Sequence, residues 1–87
     1  MPYHKNKQQA YQAAEQGHKQ AMDAYAYSQM IKEEPGYGRQ LKHVEEEVNE
    51  AYAQIENALE TASDTQRRQL EQFQQDLQSI VNEVNND

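Results

Sequence analysis

The sequence predicts an all-α protein: an up-down-up three-helix bundle with short loops, one helical domain over residues 1–87. Three observations carry this. Apolar and small residues recur at steps of three and four in three separate segments, which is helical spacing. Val, Ile and Thr number only nine, and none fall in the alternating pattern of a half-buried strand. Two stretches, Pro35-Gly36-Tyr37-Gly38 and Thr61-Ala62-Ser63-Asp64-Thr65-Gln66, interrupt the periodicity with turn and capping residues.

The first segment is marked by small side chains. Ala10, Ala14, Gly17, Ala21, Ala24, Ser28 and Ile31 step by 4, 3, 4, 3, 4 and 3, the heptad spacing of a single helical seam. Tyr11, His18 and Tyr25 flank that seam at seven-residue steps. Pro35 disfavours α geometry at Glu34 and donates no N–H, and the glycines after it tolerate positive φ. The first helix is therefore expected to run about 44 Å and to stop near Glu33.

The second segment carries larger apolar residues: Leu41, Val44, Val48, Ala51, Tyr52, Ile55, Ala58, Leu59 and Ala62, with Glu45, Glu46, Glu50, Glu56 and Glu60 on the opposite face. The third carries Leu70, Phe73, Leu77, Ile80, Val81 and Val84. Between them, Ser63-x-x-Gln66 fits a capping box, and Asp64 is well placed against a helix dipole. A break is expected there. The alternative is a single long helix, because positions 55, 59, 62, 66, 70, 73 and 77 also form a connected stripe. Arg67 and Arg68 would sit at the unfavourable end of a third helix's dipole, which favours that alternative. A long helical hairpin of that kind would leave a larger uncovered stripe and would dimerise.

Composition sets the scale of the core. Leu, Ile, Val and Phe together are 12 of 87 residues, net charge is -7 and mean hydropathy is -1.25. Such values border on those of disordered chains, so placement of the few apolar residues has to decide folding. The chain has no Cys, which excludes a disulfide framework, a cysteine zinc site and thiol catalysis. No apolar run reaches the length of a membrane span, and the opening Met1-Pro2-Tyr3-His4-Lys5 lacks the apolar stretch of a signal peptide. A cytoplasmic location is expected.

Charge is balanced over residues 1–34, net -4 over 35–62 and net -3 over 63–87. No basic face exists for nucleic acid. The one basic pair, Arg67-Arg68, is spaced for local ion pairs, Arg67 with Glu71 and Arg68 with Asp64. Glu15-x-x-His18 is half of a carboxylate-bridged di-metal motif, but His43 follows Gln40 instead of a Glu, and His4 has no partner. The Glu45-Glu46-Glu47 run with Glu50 lacks the Asp/Asn alternation and Gly of a calcium loop. Ser28, Ser63 and Ser79 stand in no nucleophile-elbow context. No catalytic residue, metal ligand or cofactor site is therefore expected.

Tyrosine is the residue type that stands out. Five of the six tyrosines lie in or beside the first helix, and Tyr joins a large apolar body to a hydrogen-bonding tip, which suits an interface. Tyr11, Tyr25, Tyr27 and Tyr37 form the candidate partner surface. The small-residue seam beside them is expected to pack inside the bundle, where Ala and Gly let backbones approach.

The stretch Ser63-Asp64-Thr65-Gln66-Arg67-Arg68-Gln69-Leu70, with Leu77-Gln78-Ser79 further on, resembles the C-terminal part of small YtzC-like proteins of Bacillus-type bacteria. The Ala-, Tyr- and Gln-rich first segment with an acidic remainder is similar too. The resemblance implies a cytoplasmic bacterial protein of a family without an assigned activity, and it carries over no functional residue. Taken together, these features lead us to expect a non-enzymatic helical module that binds an unknown protein partner or forms a homodimer, with no nucleic acid, membrane or cofactor involved. The alternative is a hydrophilic, largely disordered stress-type protein that orders on binding.

Overall fold

A computed structural model describes residues 6–86. It is a three-helix bundle: α1 (Lys7–Met30), α2 (Tyr37–Leu59) and α3 (Asp64–Asn85). Among the described residues there is no strand, and no helix is long and apolar enough to cross a membrane. Tyr3 and His4 lie outside the described residues.

The starts of α1 and α3 have local causes. Asn6 caps α1, its side-chain oxygen accepting from the N–H groups of Gln8 (2.8 Å) and Gln9 (3.3 Å). The helix ends at Met30, three residues before the expected stop, and spans about 36 Å. The reversal itself uses those residues. Ile31, Glu34 and Tyr37 each donate their N–H to the carbonyl three residues back, so consecutive tight turns replace the last helical turn and carry the chain to α2. The glycines do not serve this turn through positive φ, as the sequence suggests. All three have negative φ, and Gly36 is the N-cap of α2 at φ -80°, ψ 0°.

The break before α3 is present. Ser63 Oγ accepts from the Gln66 N–H (3.2 Å) and Gln66 Oε1 accepts from the Ser63 N–H (3.1 Å), completing the capping box. The local ion pairs expected of Arg67 and Arg68 are not formed. Arg67 instead donates from Nη2 to the Leu59 carbonyl at 3.2 Å. The guanidinium that opposes the dipole of its own helix thus satisfies the C-terminal end of the preceding one, where a cation is favoured.

The core has two unlike halves. The α1 seam is buried as expected, through Ala10, Ala14, Gly17, Ala21, Ala24 and Ser28. It packs on the α2 row Val44, Val48, Ala51, Ile55 and Ala58. Small residues allow near-contact of the two backbones: a Cβ placed on Gly17 would stand 3.1 Å from Ala51 Cα. Gln40 adds a cross-link, its Nε2 donating to the Ala24 carbonyl at 3.0 Å. Carried along an antiparallel pair, this register sets Ala10 level with Ala58 and Ala24 level with Val44. Ser28, fully buried, keeps its hydroxyl satisfied by donating to the Tyr25 carbonyl (2.6 Å). The other half is built from large side chains, Leu70, Phe73, Leu77 and Ile80 of α3, which lie over the hairpin of α1 and α2.

Candidate functional site

The seven-residue flank of α1 turns toward α3. His18, half-buried, stacks on Phe73 with ring centroids 4.2 Å apart and planes 21° from parallel. Its Nε2 lies 2.8 Å from Asp76 Oδ2. Asp76 also accepts from Gln72 Nε2 (3.1 Å) one turn away. His18, Phe73 and Asp76 therefore lock α1 to α3 with a flat apolar contact and a polar one at its edge. This use of His18 leaves Glu15 out, and the described residues contain no group of three or more acids and histidines able to hold a metal. His43 is exposed.

The tyrosines are divided. Tyr11 and Tyr25 are half-buried on the same flank as His18 and pack against the core. Burial raises the Tyr11 phenol above its ordinary pKa, and the Glu15 carboxylate adds to the effect. Tyr52 of α2 behaves alike, its pKa raised by burial, with its hydroxyl donating to the Gln74 carbonyl at 3.5 Å. Tyr27 is 52% exposed. It follows Tyr25 by two residues and so lies about 200° around the helix from it. Tyr37 is half-buried in the first turn of α2. The four candidate residues thus do not share one face: two pack against the core on the flank that carries His18, one is exposed on the far side of α1, and one lies in the first turn of α2.

What the periodicity does not disclose is a cleft between the N-terminal half of α2 and the C-terminal end of α3. It has a volume of about 160 Å³ and is lined by Val44, Val48, Ile80, Val81 and Val84, with Glu45, Asn49 and Asn85 at its edge. Val81 and Val84 are half-buried. Large apolar side chains are also exposed on α1, at Met22 (38%) and Met30 (78%). The stripe assignments place all five lining residues on inward faces. Those stripes do not show that Val81 and Val84 stay half-exposed where α2 and α3 meet, because that depends on how two helices of different side-chain size pack.

Comparison of the chain with family models, with curated proteins and with solved structures gives no match.

Proposed function

We propose that this protein is a non-enzymatic helical interaction module that works by self-association. One observation carries the reading: the α1–α2 hairpin is closed at backbone distance, whereas the α2–α3 side has a cleft at whose mouth Val81 and Val84 stay half-exposed above the buried Val44, Val48 and Ile80. Such a surface favours contact with another apolar helix face, as the half-exposed Val81 and Val84 gain by leaving water. A second copy supplies a face of that kind.

The test uses the two half-buried cleft residues, since substitution there spares the fully buried core. Val81→Glu and Val84→Glu are compared with the unaltered protein by sedimentation equilibrium from micromolar to millimolar concentration. The expected result is a mass that rises with concentration and an association weakened at least about tenfold in each variant. A mass that stays monomeric across the range refutes the reading.

A further inference from the structure

The two connections in this bundle differ in kind. Between α1 and α2 lie Pro35, Gly36 and a series of tight turns, which forbid a continuous helix. Between α2 and α3 lie only Glu60, Thr61, Ala62 and Ser63, with neither Gly nor Pro. Glu60 is already helical at φ -62°, ψ -29°. Ser63 at φ -71°, ψ 170° is helical in φ and departs from the helix in ψ. The inward row also ignores the break. Ile55, Leu59, Ala62, Gln66, Leu70, Phe73 and Leu77 keep steps of three and four straight through it, and every one of them is buried or half-buried.

We propose that α3 is exchangeable between two copies of this chain. Residues 60–63 straighten, α2 and α3 become one helix over residues 37–85, about 73 Å long, and each α3 seats on the hairpin of the other copy. This rests on the self-association reading and gives it a route other than docking on the cleft, since exchange rebuilds the α2–α3 cleft between copies and leaves it open. The register permits it. Tyr52 and Gln74, which meet through the Tyr52 hydroxyl, lie eleven residues from Ser63 on either side. Two straightened helices running antiparallel and crossing at Ser63 bring Tyr52 of one level with Gln74 of the other. The contacts of α3 with its hairpin, His18 with Phe73 and Asp76 included, are then remade between copies. What the closed monomer holds and the exchanged dimer gives up is local: the Ser63–Gln66 capping box and the Arg67 bond to the Leu59 carbonyl. The capping box is thus the latch that sets the balance between one copy and two.

Asp64 offers a discriminating substitution. It is the first residue of α3, where Pro is favoured, and Ser63 before it is extended, as a residue before Pro must be. Asp64→Pro therefore fits the monomer and is incompatible with a helix running through residue 64. Asp64→Ala controls for the lost charge, and Ser63→Ala removes the latch. These four proteins and the double variant Ser63→Ala, Asp64→Pro are compared by melting temperature and by sedimentation mass, and any dimer is isolated by gel filtration, diluted and timed. The expected results are three. Ser63→Ala raises the dimer association constant roughly tenfold or more. Asp64→Pro lowers it at least as far with an equal or higher monomer melting temperature, while Asp64→Ala does not. The isolated dimer persists for about a minute or longer, because α3 must leave its seat before the copies part. An unaltered protein that dimerises just as well with Asp64→Pro overturns the exchange and leaves self-association standing through an exposed face. A monomeric unaltered protein whose Ser63→Ala variant dimerises, and loses the dimer again on adding Asp64→Pro, supports the exchange and refutes the functional reading. Monomers throughout overturn both.

Discussion

Gly17→Ala opposes two effects whose balance the structure decides. In an exposed helix interior the change stabilises by about 0.8–1.0 kcal/mol, because Ala has the higher helix propensity. At Gly17 the new Cβ would stand 3.1 Å from Ala51 Cα and 3.5 Å from Ala51 Cβ. Carbon atoms rest comfortably at about 3.5–4.0 Å, so α1 and α2 must separate by several tenths of an ångström at this layer. The obstruction is backbone and has no rotamer to change. Ala14 and Ala21, in the layers on either side, are fully buried and would lose contact as the helices part. Overpacking of this sort costs about 1–3 kcal/mol. The net expectation is destabilisation by about 0.5–2 kcal/mol, which lowers the melting temperature of a domain this size by roughly 3–12 °C. Gly38→Ala supplies the reference. Gly38 lies in the first turn of α2, and a Cβ there meets nothing within 4 Å, so that variant should be at least as stable as the parent. Thermal melts and urea titrations of the two proteins measure the difference. If Gly17→Ala gains stability to the same extent as Gly38→Ala, the backbones of α1 and α2 are not in near-contact and the account of the seam fails.

Other expectations follow from the same geometry. Ala21→Leu, at a fully buried seam position, should cost about 1–3 kcal/mol in a urea titration; unchanged stability would place the seam on the outside of the molecule. Ile55→Ala and Leu77→Ala should each cost about 2–4 kcal/mol, as both side chains are fully buried, within a cooperative helical melt followed by circular dichroism. A coil-like signal at 25 °C would instead support the disordered alternative. His18→Ala should cost about 1–2 kcal/mol through the lost Phe73 stack and Asp76 contact, and equal stability of the variant would show that α3 is seated without this lock. Stability should fall as pH rises beyond about 10. The unfolded chain gives up its phenolic protons at the ordinary tyrosine pKa, whereas Tyr11 and Tyr52 hold theirs to higher pH in the fold, so alkaline solution favours unfolding. Tyr11→Phe with Tyr52→Phe should flatten that decline in urea titrations between pH 9 and 11.

The parts of this fold legible in the sequence are those governed by nearest neighbours along a helix. Residues Ala10 to Ser28 announce their seam because burial on one face of a helix imposes steps of three and four, and Ser63 and Gln66 announce a start because a capping box needs only four consecutive residues. The end of α1 is less legible. The turns at Ile31, Glu34 and Tyr37 depend on where α2 must begin, and Pro35 marks only the latest point at which the helix could stop. Arg67 shows the same limit. Its spacing to Glu71 suggests an ion pair, but the Leu59 carbonyl, eight residues back and brought near by the chain reversal, takes the guanidinium. For the candidate site, the seven-residue spacing of Tyr11, His18 and Tyr25 signals a shared flank, yet His18's partners Phe73 and Asp76 are more than fifty residues away and carry no local mark. The cleft at Val81 and Val84 is a property of two surfaces meeting, so no single stripe contains it.

A row of uniformly small residues is poor at specifying alignment. If α1 slid by one heptad along α2, Ala and Gly would again meet the same apolar row in the layers that still overlap, and those layers by themselves would not distinguish the two arrangements. Gly17 removes that degeneracy. It is the one seam position without a Cβ, and it lies against Ala51, where a Cβ would be crowded. A slip by a heptad brings Ala10 or Ala24 to that place, and the helices are forced apart. The glycine therefore acts as a notch in an otherwise smooth rail, assigning a single alignment to two helices whose other seam contacts would accept several.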